Sequence, residues 1–67
     1  MEEHIQKVRE EIKNAYEGDY SITVVFYDGV AENGKVERID ILFRGFQMNG
    51  CWIDPNEVEF LEIDHDN

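Results

Sequence analysis

Pro55 is the only proline in the chain, and it lies between two stretches of strand-like composition. Before it runs Cys51-Trp52-Ile53; after it runs Val58-Glu59-Phe60-Leu61-Glu62-Ile63. A proline ring fixes φ and removes a backbone donor, so it belongs at the start of a turn rather than inside a sheet. Asp54 before it and Asn56 after it readily take turn geometry. The stretch from Trp52 to Val58 therefore predicts a short strand, one 3₁₀ or helical turn, and a closing strand with Val58 against the core.

At 67 residues the chain makes a single domain, spanning 1–67, near the lower limit for a self-sufficient core. A core this small supplies only about 3–5 kcal/mol, so help from a partner subunit or from close packing is expected. Hydrophobic residues make up 42%, enough for a folded domain. The one cysteine, Cys51, excludes an intrachain disulfide and a multi-cysteine zinc site, and reads as a small buried apolar side chain in a reducing compartment. No apolar run approaches a membrane span, and Met1-Glu2-Glu3-His4 lacks the features of a signal peptide. A cytoplasmic location is expected.

Residues 2–17 read as a helix. Ile5, Val8, Ile12, Ala15 and Tyr16 recur at spacings of three and four, so they share one face. Glu3 and Lys7 suit an i,i+4 pair, and Gly18 a left-handed stop. So narrow a stripe must dock on something to stay helical. Residues 20–64 then read as a sheet. Tyr20 to Asp28 alternates as a first strand, with Ile22, Val24 and Phe26 on one face. Lys35 to Arg44 forms the second, with Val36, Ile39, Ile41, Leu42 and Phe43. Gly45 marks a corner, Phe46-Gln47-Met48 a third strand, and Asn49-Gly50 a tight turn that sets Met48 opposite Cys51 and Phe46 opposite Ile53. Glu57 to Asp64 closes the set, and His65-Asp66-Asn67 are expected to fray.

Two dipeptides compete for the first hairpin turn. Asn33-Gly34 aligns Phe26 with Ile41 and Val24 with Phe43, so the apolar faces match without a bulge. Asp28-Gly29 needs Gly34 to act as a bend that resets the parity. Pairing alone favours Asn33-Gly34.

Sixteen acids against six bases give a net charge of −10. Such a surface repels phosphates, and direct binding of DNA or RNA needs a cluster of Lys and Arg that this chain lacks. From Asp54 to the end there are six acids and no base. That end either keeps a small domain soluble, meets a basic protein surface, or imitates nucleic acid.

Two segments carry a family resemblance. One is Val24-Val25-Phe26-Tyr27-Asp28-Gly29 followed by Gly34, Val36, Ile39 and Asp40. The other is Trp52-Ile53 through Glu57-Val58 to Leu61-Glu62-Ile63. Their order resembles the YolD-like family of small bacterial and phage proteins, over nearly the whole chain. The first segment also resembles the Sm-like barrel signature in its Asp-Gly, Gly and Asp spacings. These resemblances imply an α+β fold: an N-terminal helix, then a strongly bent five-stranded antiparallel sheet as a small SH3-like or Sm-like barrel. They also shift the turn choice to Asp28-Gly29. The Asn that follows the Asp in RNA-binding Sm proteins is absent, since Asp40 precedes Ile41-Leu42-Phe43-Arg44; this argues against an RNA ring. The YolD-like resemblance implies a non-enzymatic accessory role, linked to DNA-damage tolerance or a mobile element, and supplies no active-site residues.

No catalytic, metal or cofactor-binding set emerges. His4 and His65 are the only histidines and lie near opposite ends, so neither supplies a base to Cys51 or Ser21 by any sequence signal. Glu62, Asp64, His65 and Asp66 lack the turn glycine and spacing of a calcium loop. Asp40 and Asp54, beside turns, read as acceptors for backbone N–H groups. What remains is a surface for a protein partner. Tyr27, Phe46 and Trp52 are the large aromatics least bound to the core by parity, and Asp54, Glu57 and Glu59 surround the closing turn. For Trp52 the favoured reading is packing under the helix stripe of Ile5, Val8 and Ile12, with the exposed anchor as its alternative. Free sheet edges offer a route to strand addition or a homodimer.

Overall fold

The computed structural model describes residues 2–64; the expected fraying of residues 65–67 lies outside them. One helix precedes a five-stranded antiparallel sheet, so the fold class is α+β. Helix α1, Glu2–Gly18, buries Val8, Ile12 and Ala15, with Ile5 half-buried beside them. Tyr16, expected on the same stripe, is 46% exposed. Glu3 and Lys7 do not pair; the ion pairs among the described residues are Lys35–Asp19 and Arg44–Asp40.

The helix ends on two backbone bonds: Tyr20 N–H donates to Ala15 O (2.9 Å) and Asp19 N–H to Tyr16 O (3.3 Å). This is the six-to-one and five-to-two closure of a left-handed cap. The left-handed residue is Asp19, at φ 59°, not Gly18. Gly18 is the last helical residue, and a Cβ there would run into the Tyr20 ring.

The strands are β1 Ser21–Phe26, β2 Ala31–Ile39, β3 Phe46–Met48, β4 Cys51–Ile53 and β5 Val58–Asp64, in the order β4-β3-β2-β1-β5. Asp28-Gly29 makes the first turn. Gly29 N–H donates to Phe26 O (2.9 Å), Phe26 N–H to Val30 O (2.8 Å), and Gly29 takes φ 92°. This is a three-residue hairpin loop with glycine in the left-handed seat, not the two-residue turn its dipeptide favours. The competing Asn33-Gly34 register is excluded, because Ile22 sits opposite Gly34 and Val24 opposite Glu32. Gly34 lies inside β2, where a Cβ would come within 2.6 Å of Asn49 Oδ1. Asn49-Gly50 is the two-residue turn expected, with both residues at positive φ, and it sets Phe46 against Ile53 and Met48 against Cys51.

β2 serves two neighbours: residues 31–35 pair with β1 and residues 36–39 with β3. Two register shifts keep apolar side chains inward. Glu37 is the extra residue between Val36 and Arg38, and Glu59 the extra residue between Val58 and Phe60. Each allows residues three apart to share a face, Val36 with Ile39 and Val58 with Leu61.

β2 stops at Ile39, not at Arg44 as the apolar alternation predicts. Asp40 ends it: its carboxylate accepts N–H bonds from Leu42 (3.0 Å) and Arg44 (3.3 Å) and one from Arg44 Nε (3.4 Å). Phe43 N–H donates to Asp40 O (2.8 Å) and Asp40 N–H to Gly45 O (3.0 Å). The Arg44 backbone N–H acts most strongly on the Asp40 carboxyl; burial opposes it, and the Leu42 N–H and the Arg44 side chain add to it, so the group stays below the usual aspartate range.

Phe46, Met48, Ile22, Val24 and Val58 form the centre of the core with Ile12 and Ala15 of the helix. The helix packs on β2, β5 and the 3₁₀ turn Pro55–Glu57. That turn joins β4 to β5 as expected, with Pro55 and Val58 buried. β4 and β5 are the two edges and do not pair with each other, so the sheet is not closed into a barrel by its hydrogen bonds.

Candidate partner-binding groove

Pairing of β1 with β5 brings two turns together that are far apart in sequence. One is the hairpin loop after Phe26; the other is the 3₁₀ turn before Val58. Tyr27 N–H donates to Glu57 O at 3.2 Å and stitches them. Between them lies a groove of about 550 Å³ lined by Phe26, Tyr27, Asp28, Val30, Asn56 and Glu57. This volume falls within the usual range for ligand sites.

Each wall is fixed locally. Asp28 Oδ1 accepts the Val30 N–H (2.9 Å), shaping the hairpin loop. Asp54 Oδ1 accepts both the backbone N–H (2.9 Å) and the side-chain amide (3.0 Å) of Asn56, shaping the 3₁₀ turn. Asp40 and Asp54 thus hold backbone N–H groups, as their positions beside turns predict. Phe26 packs against the core, so the floor of the groove is continuous with it. The helix start packs against the 3₁₀ turn. His4 Nε2 donates to Val58 O (3.2 Å), and its ring lies 6.4 Å from the Tyr27 ring at 56°. Tyr27 remains 62% exposed, with Val30 also open to solvent. The Glu57 carboxylate is exposed and makes no hydrogen bond or ion pair within the described residues.

No family model, curated protein or solved structure matches this chain.

The six residues proposed from sequence separate into four places. Tyr27 and Glu57 line the groove, and Asp54 supports its wall. Glu59 is exposed on the bulge of β5. Trp52 is at another part of the sheet, on the edge strand β4 opposite Gln47, and is 57% exposed; it does not lie under the helix. Phe46 is no anchor: it is 0% exposed, because its side of β3 faces the core. Cys51, read as buried, is exposed on β4. Asp28, Val30, Phe26 and Asn56 were missed as site residues, although the Asp-Gly and Pro turns that position them were both visible. What no local pattern carries is the contact between those turns.

An apolar and aromatic floor with carboxylates at the rim suits an apolar side chain next to a positive charge. Among the described residues no group of three or more His, Cys, Asp or Glu is placed to hold a metal ion. His65, considered as a partner for Cys51 and for a cation, lies outside the described residues. No helix among the described residues is long and apolar enough to cross a membrane.

Proposed function

We propose that this chain is a non-enzymatic, acidic protein-interaction module. Its groove holds an apolar or aromatic side chain from a partner segment that carries Lys or Arg alongside. The observation that carries this reading is the placement of exposed Tyr27 and Val30 beside the Glu57 carboxylate, which has no partner among the described residues. The strand order, with a 3₁₀ turn between β4 and β5, supports a small SH3-like or Sm-like barrel curled about the core. The YolD-like resemblance of the sequence supports an accessory role in the cytoplasm, in DNA-damage tolerance or on a mobile element.

Fluorescence anisotropy with labelled peptides tests it. Peptides with a central Leu or Phe flanked by Lys or Arg bind; the same peptides flanked by Glu do not. Tyr27→Ala and Val30→Asp each weaken binding about tenfold or more. Glu57→Gln weakens it less and flattens its dependence on salt. Equal binding of basic and acidic peptides would sink the proposal.

A second reading, imitation of nucleic acid, is favoured by the exposed carboxylates of Asp54, Glu57, Glu59, Glu62 and Asp64. A partner captured this way competes with duplex DNA, is lost steeply as salt rises, and ignores Tyr27→Ala.

A further inference from the structure

The loop between β2 and β3 has no place in the groove and presents the most exposed aliphatic pair among the described residues. Ile41 is 94% and Leu42 66% exposed. The bonds to the Asp40 carboxylate, carbonyl and amide described above hold this six-residue loop in one shape. Phe43 sits at φ 52°, an unusual conformation for a bulky residue that persists where surroundings enforce it. The result is a division of labour. Phe43 turns inward onto the core, with Arg9 Cζ 6.0 Å from its ring centroid, while Ile41 and Leu42 stand out in water. Two adjacent aliphatic side chains, held out by a hydrogen-bonded frame, are pre-organised for insertion.

We propose that Ile41 and Leu42 of one copy insert into the groove of a second copy, giving head-to-tail self-association. Charge supports this occupant. From Arg38 to Ile53 the chain carries two arginines, Arg38 and Arg44, and one carboxylate, Asp40. From Asp54 to Asp64 it carries acids and no base. The loop segment of one copy therefore meets the acidic rim of the next without like-charge repulsion, despite the negative charge of the whole. Edge-to-edge pairing is the poorer route. β4 is three residues long, and β5 carries the Glu59 bulge with Glu62 and Asp64. Because loop and groove are different surfaces, the contact is heterologous and propagates unless it closes into a ring.

Sedimentation velocity across concentrations up to about 1 mM tests it. The wild-type chain grows beyond a dimer. An Ile41→Ser, Leu42→Ser double variant and a Val30→Asp variant are each monomeric alone, with unchanged circular dichroism. Mixed together they give a one-to-one dimer and nothing larger, since one supplies only the groove and the other only the loop. Tyr27→Asp substitutes for Val30→Asp if the latter fails to fold. A wild-type chain that stays monomeric, a double variant that associates like wild type, or a mixture that forms no dimer overturns the proposal. The double variant retains binding of basic peptides, so failure here leaves the interaction-module reading intact; loss of peptide binding with self-association retained has the opposite meaning.

Discussion

Asp19 holds the left-handed seat after the helix, where a glycine avoids the clash between Cβ and backbone. Its compensation is an ion pair with Lys35 Nζ at 3.3 Å, with both side chains open to solvent. Exposed pairs contribute roughly 0–1 kcal/mol, whereas relieving a left-handed non-glycine residue gains about 1 kcal/mol. Asp19→Gly is therefore expected to raise the urea midpoint slightly. A lowered midpoint would show that the ion pair outweighs the backbone term. The two acceptor aspartates were legible from sequence because an Asx residue beside a turn has few other uses. Asp19 was not, because Gly18 next to it is the more obvious stop. The reason Gly18 sits inside the helix, the Tyr20 ring against it, depends on the path the chain takes afterwards.

At the scale of elements, the two glutamate bulges set strand parity. Removing Glu59 leaves Val58 and Leu61 inward with only Phe60 between them, which is plain alternation. The same holds for Glu37 between Val36 and Arg38. Deleting either glutamate is expected to preserve cooperative thermal unfolding followed by circular dichroism. Deleting Thr23 puts Ile22 and Val24 on opposite faces and is expected to abolish that transition. A Glu59 deletion that unfolds the chain would mean the bulge holds the strand rather than interrupting it. The hairpin at Asn49-Gly50 and both its cross-strand pairs were legible, because turn chemistry and apolar alternation agree there. The end of β2 was not. Residues 39–43 alternate well enough for a strand, but the Asp40 carboxylate offers two backbone N–H groups a local acceptor, and that competition ends the ladder.

For the molecule as a whole, class, strand content and the acidic closing segment could be read from composition and spacing. The groove could not, since its walls come from residues 26–30 and 56–57, joined only by long-range pairing. Aromatic side chains were also hard to place. Phe46 and Trp52 belong to adjacent strands, yet one is at the centre and the other in solvent, because three-residue strands give parity little to work with. Trp52 is the only indole in the chain, and its outward position decides what tryptophan emission can report. Native and denatured protein should fluoresce at nearly the same wavelength, while far-ultraviolet circular dichroism records the loss of helix and sheet. A large red shift on denaturation would move that ring into the interior. If the emission stays put, a blue shift on mixing with a candidate ligand marks something landing on β4, and it does so without any added label.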